Sequence, residues 1–256
     1  MGTPETTRKI IAIGGAGYDL ENLAIEKEIL RFAQKERPRV LSIPTASYDD
    51  EEWSHLFEHV YGQRLGCATD VLWLLREQPT RQQIEEKILS ADIIWVGGGN
   101  TLKMMKRWRK LGVDTVLKQA HDRGIILSGS SAGSICWFRY GHSDSMSFYG
   151  SEQWNYVRVR GLGLIDAIHC PHYHSEKREQ DFARMMAKRP PHGAHTLPGL
   201  ALDDYAALEI LGDTYRLVAF HPEARGYKVY RRDGQVVAEE IEQREEFAPL
   251  GELLRA

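Results

Sequence analysis

The sequence is poor in cysteine and carries no excess of positive charge, and both shortages narrow its chemistry. Three cysteines occur in 256 residues, Cys67, Cys136 and Cys170, with no CxxC spacing. That odd, scattered set argues against a disulfide framework and for a reducing compartment. Lys and Arg number 33 against 36 Asp and Glu, a formal net charge of −3. There is no basic footprint, so nucleic acid is not an expected partner. No apolar run approaches the roughly 20 residues of a membrane span. The opening MGTPETTRKI lacks the apolar core of a signal peptide. A cytoplasmic protein without membrane contact is expected. Internal repeats, low-complexity segments and linkers are also missing, so one domain over residues 1–256 is expected.

What is present is an alternation of apolar runs and amphipathic stretches. RKIIAIGG reads as a buried strand, and NLAIEKEILRFAQKE as a helix with apolar residues three and four apart. RVLSIPTAS reads as a strand ended by Pro44. DDEEWSHLFEHVYGQRLG reads as a helix with acids in its first turn and a closing glycine. DVLWLL, TRQQIEEKILSA and DIIWVGGG continue the series. A helix from about Thr101 to Arg123 and the strand GIILSG follow. This order predicts a parallel sheet covered on both faces, with right-handed crossovers.

After Tyr140 the pattern becomes β-rich. WNYVRVRGLGLI and AIHCP read as strands, EKREQDFARMMAKR as a helix and RPPHGAHTLPG as a loop. GLALDD, AALEIL, TYRLVAF, YKVYRR and QVVAEEIE follow as strands, with RDGQ as a hairpin turn because Asp-Gly accepts positive φ.

The stretch IILSGSSAGSICWF holds four serines between residues 128 and 134. Only Ser131 has glycine two residues to either side. This makes G-x-S-x-G on an expected strand-to-helix turn, where a nucleophile needs small neighbours. The helix that begins there turns free N–H groups toward any charge forming on a bound carbonyl. The bland alternative is a Gly/Ser-rich N-cap. Ser128, Ser130 and Ser134 lack the flanking glycines and read as turn or cap residues. The glycine clusters AIGGAGYD and VGGGNT lack the lysine of a phosphate-binding loop and the rest of a dinucleotide fingerprint, so they are weak nucleotide signals.

A serine nucleophile needs a base and a group to orient it. His172, in DAIHCPHYHSE, follows an apolar strand, and Asp203 and Asp204, in GLALDDYAAL, end another. These are the carboxyl-end positions at which open sheets build sites. His169, Cys170, His172 and His174 could suggest zinc, but Pro171 interrupts them and no second cluster completes a common ligand pattern. His221-Pro222-Glu223 offers a rival base and acid, as in class I glutamine amidotransferases, whose nucleophile is cysteine.

Taken in order, WVGGGNT, GSSAGS, CPHYHSEKREQ and GLALDDYAALE resemble the peptidase E (aspartyl dipeptidase) family of serine peptidases, which includes the cyanophycinases. The resemblance runs from about residue 8 to residue 240. It implies a three-layer α/β/α sandwich with a mainly parallel central sheet, related to the class I glutamine amidotransferases, with the β-hairpin-rich part at the C-terminus. The chain order Ser, His, Asp differs from the Ser, Asp, His of α/β hydrolases. By the same resemblance Ser131 matches the nucleophile and His172 the general base. Asp204 falls where the family has its third member, usually glutamate. Gly98 and Ala132 match the oxyanion-hole pair, and Arg178 matches the arginine that binds an acidic substrate side chain. Two departures stand out. The loop between the histidine and the arginine is shorter here, and the Asp203-Asp204 pair leaves the third member open.

The expected function is hydrolysis of short peptides, including dipeptides with N-terminal aspartate, by a serine peptidase that uses no metal or cofactor. A short peptide is the expected partner, and a homodimer is compatible with the sequence. Two alternatives stay open: an amidotransferase-like hydrolase using His221 and Glu223, and a non-catalytic ligand-binding module of the same fold.

Overall fold

The computed structural model describes residues 7–150, 153–188 and 196–255. The first half alternates strand and helix: β1 (Lys9–Ile13), α1 (Ala24–Ala33), β2 (Arg39–Ser42), α2 (Glu51–Phe57), β3 (Ala68–Val71), α3 (Arg81–Leu89), β4 (Ile93–Val96), α4 (Thr101–Leu111), α5 (Val113–Asp122) and β5 (Ile126–Ser130). A single helical turn, α6 (Ala132–Ile135), leads into β6 (Phe138–Ser143), β7 (Val157–Arg160), β8 (Ile165–Cys170) and α7 (Glu179–Ala187). Then come β9 (Gly199–Leu202), β10 (Ala206–Leu211), β11 (Thr214–Ala219), β12 (Gly226–Arg232), β13 (Gln235–Glu240) and β14 (Ala248–Pro249).

Strands β1, β5, β4, β2 and β3 lie side by side and parallel, and β10, β11 and β14 extend the β1 edge antiparallel. Successive side chains of a strand leave opposite faces, and β1 divides accordingly. Ile10 and Ala12 join a core with Met104 and Trp108 of α4 and Leu117 of α5, whereas Ile11 and Ile13 join one with Ile25 and Ile29 of α1 and Phe57 of α2. Helices thus cover both faces, and the architecture is a three-layer α/β/α sandwich.

The C-terminal strands do not form one appendage. β10 and β11 return to the main sheet, while β9, β12 and β13 join β6, β7 and β8 in a second sheet, ordered β13-β12-β9-β8-β6-β7. One face of this sheet contributes Phe138, Ile165 and Leu200 to the main core. The other packs Ile168, Cys170 and Val229 against Phe182, Met185 and Met186 of α7.

Several elements differ from the sequence expectation. The helix over 101–123 breaks at Gly112, whose φ of 71° caps α4 and opens α5. The strand expected over DVLWLL ends at Val71, because the amides of Leu74, Leu75 and Arg76 donate to Asp49 Oδ2 instead. The strand expected to be ended by Pro44 does close there: it runs Arg39–Ser42, and Pro44 starts a 3-10 turn. β6 was not anticipated. The hairpin turn appears as expected between β12 and β13, with Asp233 at φ 52° and Gly234 at φ 83°. Of the loop expected over 189–199, residues 189–195 lie outside the described residues.

Candidate active site

The residues picked out in the sequence come from two sheets that meet at their carboxyl ends. Ser131 follows β5 of the main sheet, whereas His172 and Asp204 lie just beyond β8 and β9 of the second. Ser131 is held at φ 55°, ψ −114°, a conformation that side-chain-bearing residues avoid. Its amide donates to the Ile13 carbonyl at 3.2 Å, and its own carbonyl accepts from the amides of Ser134 and Ile135 at 3.0 Å each. The turn needs both motif glycines. A β-carbon on Gly133 would lie 1.9 Å from the Val96 carbonyl oxygen, and one on Gly129 would lie 2.6 Å from that of Gly133. The helix that leaves the turn is one turn long, so the expected macrodipole contributes little. Its leading N–H groups remain: Ala132, as the first helical residue, has no carbonyl one turn earlier to which its N–H can donate. Gly98 runs alongside, where a β-carbon would sit 3.3 Å from Ser131 Cβ. The Gly98 N–H meets no acceptor among the described residues.

Ser131 Oγ lies 2.8 Å from His172 Nε2, and His172 Nδ1 lies 2.6 Å from Asp204 Oδ1. Those partners fix the proton positions: the serine donates to Nε2, and Nδ1–H donates to the carboxylate. Burial pushes the Asp204 carboxyl up. Hydrogen bonds from His172 and Ser175, with the charges of His172 and Arg178, outweigh that and hold it below the usual carboxylate range. Asp203 turns the other way. Its Oδ1 accepts from His174 Nδ1 at 2.8 Å, and its Oδ2 from the Arg225 amide at 3.0 Å. Successive residues at a strand end face opposite sides, so the Asp-Asp pair divides into one carboxylate on His172 and one that ties loops together.

The sequence reading missed Gly15. A β-carbon there would lie 2.0 Å from Asp204 Oδ1 and 2.3 Å from His172 Nδ1. The His–Asp pair crosses directly over this glycine, whose carbonyl accepts from the Tyr205 amide at 2.7 Å. The signal in the sequence is the glycine cluster after β1, which resembles a nucleotide loop only weakly and here gives passage to the His–Asp pair.

The remaining candidates lie elsewhere. Arg178 is not in the cleft beside Ser131. It is 1% exposed, with Nη2 and Nε donating to Glu176 Oε2 at 2.5 and 2.9 Å and Nη1 to the His142 carbonyl at 3.2 Å. The fork of this guanidinium is thus occupied by Glu176, a carboxylate of the chain itself. His221, Pro222 and Glu223 form an exposed turn, and His221 packs near Tyr205 rather than over Ser131. The clustered histidines diverge: His169 meets Ser134 and the Leu200 carbonyl, His172 meets Ser131, and His174 meets Asp203. Burial drives His169 down to about 3 and keeps it neutral. Among the described residues no three His, Cys, Asp or Glu side chains converge as a metal site. No helix among them is long and apolar enough to cross a membrane.

Ser131, His172 and Asp204 open onto a cleft of about 610 Å³. Aromatic side chains contribute to its walls, Tyr18, Trp53, Trp95 and Phe148 among them.

A nucleophile-like turn on a three-layer sandwich, with a histidine and a carboxylate supplied by a second sheet, defines a class of hydrolase, and comparison with known proteins narrows it. Residues 10–218 match the model of peptidase family S51, and the chain belongs to that family. The chain is 32% identical over 233 residues to the uncharacterized peptidase YgaJ of Bacillus subtilis (strain 168), covering 90% of this chain and 95% of that protein. In fold it resembles a peptidase from an acI-B1 actinobacterium, with TM-score 0.70, 17% identity and coverage of 96% of this chain and 98% of that one. It also resembles a putative peptidase E protein from Listeria monocytogenes EGD-e, with TM-score 0.62, 16% identity and coverage of 84% and 100%. Membership of the family makes the chain a peptidase of serine type.

Proposed function

We propose that the protein hydrolyses short peptides with Ser131 as nucleophile, His172 as general base and Asp204 as the residue that orients the base. The observation that carries this reading is the unbroken hydrogen-bonded series Ser131–His172–Asp204, at 2.8 and 2.6 Å, on the wall of the cleft. His172 Nε2 takes the Ser131 proton as Oγ attacks the scissile carbonyl. The tetrahedral oxyanion forms against the N–H groups of Gly98 and Ala132, each contributing about 3–4 kcal/mol in comparable enzymes. The imidazolium, stabilised by Asp204, then protonates the leaving amine. Water enters, His172 removes its proton, and the acyl-enzyme is hydrolysed. The sequence of steps uses only groups of this chain and water.

Labelling with a fluorophosphonate probe tests the reading. The wild type is expected to be labelled at Ser131, and Ser131→Ala to lose both label and hydrolysis while keeping its melting temperature. Activity persisting in that variant refutes the assignment, and a folded wild type that neither labels nor hydrolyses peptides favours the non-catalytic module. Arg178 gives no support to a preference for aspartyl peptides, so the proposal does not include one.

A further inference from the structure

Besides Asp204, the cleft is lined by an acidic side chain of α1. Glu26, in the first turn of α1, lines the cleft and yet is only 3% exposed. Its carboxylate accepts from its own backbone N–H, and no lysine or arginine among the described residues forms an ion pair with it. The neighbouring Lys27 points elsewhere, donating to the Asn22 carbonyl at 2.7 Å. Burial pushes Glu26 up to about 7, with its own N–H opposing the rise, Asp19 adding to it and Lys27 opposing it. An acid in a first turn gains from the helix dipole equally well on the solvent side, so the dipole does not explain why this one is covered. Buried carboxylates ordinarily have a cationic partner.

Rings surround it. The Tyr18 centroid lies 6.4 Å from that of Trp53 and 6.2 Å from that of Trp95, and all three side chains line the cleft. Behind them the hydroxyl of Tyr61 is buried without a hydrogen-bond partner. Asp50, whose Oδ1 accepts from the Trp53 amide, adds another carboxylate to the cleft lining, and no lysine or arginine lines the cleft among the described residues. Lys103 sits over the Tyr48 ring at 3.5 Å and bonds neither carboxylate. Aromatic faces grouped around an acid attract ammonium and guanidinium groups through the ring quadrupole.

Resting on the peptidase reading above, we propose that this end of the cleft is a cation-binding subsite, where Glu26 pairs with a positively charged group of the peptide and Tyr18, Trp53 and Trp95 enclose it. The charge preference is the reverse of the one the family resemblance implied.

The test measures binding to the Ser131→Ala protein by calorimetry, so that it does not depend on turnover. Lys-Leu is compared with norleucyl-Leu, and Leu-Lys with Leu-norleucine, each with a free and an acetylated amino terminus. The charged member of a pair is expected to bind roughly ten- to a hundredfold more tightly. Adding Glu26→Gln is expected to collapse that ratio toward one. A lysine-against-norleucine difference assigns the subsite to a side chain, and a difference confined to acetylation assigns it to the peptide's amino terminus. Equal binding throughout, or a preference that survives Glu26→Gln, overturns the proposal. Should Glu26→Gln fail to fold, Trp53→Leu serves instead, since Trp53 is 52% exposed. It is expected to reduce the preference severalfold, and an unchanged ratio there counts against the subsite. Loss of wild-type hydrolysis with the lysine preference intact would refute the catalytic reading and leave the subsite standing.

Discussion

Gly15→Ala adds a single methyl group at a position that contributes no side chain to the reaction, and it is expected to disable the site. The new β-carbon would lie 2.0 Å from Asp204 Oδ1 and 2.3 Å from both Nδ1 and Cε1 of His172. Real contacts of this kind are not found below 3.0 Å, so the carboxylate or the Gly15 backbone must move by about 1 Å. The backbone has little freedom to move, because the Gly15 carbonyl accepts from the Tyr205 amide and the Gly14 amide donates to the Ala206 carbonyl. The His172–Asp204 bond, 2.6 Å long, absorbs the shift and breaks. A displacement of about 1 Å at a catalytic group is worth around a hundredfold in rate, or about 2.7 kcal/mol at 1.36 kcal/mol per factor of ten. The assay is kcat/KM on a short neutral peptide, together with the fluorophosphonate labelling rate and the melting temperature. Both rates are expected to fall together by a hundredfold or more in protein that still unfolds cooperatively. Wild-type activity in Gly15→Ala would mean that the His–Asp pair does not need the position it occupies, and the reasoning would fail.

The two neighbouring aspartates are expected to separate by readout. Asp204→Asn should lower kcat by up to about 10⁴-fold by favouring the wrong imidazole tautomer, with little change in stability. Asp203→Asn should mainly lower the melting temperature, by a few degrees, because hydrogen bonds to a charged group contribute about 1.5–3 kcal/mol each. Equal effects on rate would remove Asp204 from its assigned role. Arg178→Met should also act on stability, since it leaves Glu176 without its partner and the His142 carbonyl without a donor; a selective loss of aspartyl-peptide hydrolysis in a fully stable variant would restore the pocket reading. Glu26, whose carboxyl feels the charges of Asp19 and Lys27 and lies near Tyr18 and Tyr61, gives a pH test. Its folded value, raised from 4.5 to about 7, means that the protein loses stability as pH rises through that window. Glu26→Gln should therefore raise the melting temperature relative to wild type at pH 8 and not at pH 4. An equal shift at both values would show that the carboxyl does not titrate as its burial requires.

The parallel half of the fold was legible because its signals are local. Buried strands such as β1, β4 and β5 are short apolar runs, and the glycines around Ser131 mark a turn that only small residues permit. What could not be read is pairing over distance. The tail strands look alike in sequence, so nothing local tells β10 that it joins β1 or β9 that it joins β8. The same limit hid Gly15, whose requirement arises from residues 157 and more positions later in the chain. It also hid the burial of Arg178. A charged residue in a polar stretch reads as exposed or as ligand-binding, whereas its burial follows from Glu176, Tyr156 and the end of β6 converging on it.

The division of the site between two sheets has a consequence for how catalysis and folding are linked. Ser131 is positioned by β5 and the β1 carbonyl of Ile13, both in the main sheet. His172 and Asp204 are positioned by β8 and β9, which are parallel neighbours in the second. The distance from Ser131 to His172 therefore depends on how the sheets dock, through Phe138, Ile165 and Leu200 in the shared core, and on the stitch between Gly15 and the Asp204–Tyr205 corner. A core truncation such as Leu200→Ala acts at that docking face. It removes buried apolar contact costing about 2–5 kcal/mol, and the elbow itself is untouched. If the two sheets are mechanically separate, kcat falls more steeply than elbow strain or nucleophile chemistry alone would require, because the base moves relative to the serine. A variant that loses stability and keeps the wild-type kcat would show instead that the stitch at Gly15 is sufficient to hold the two halves in register.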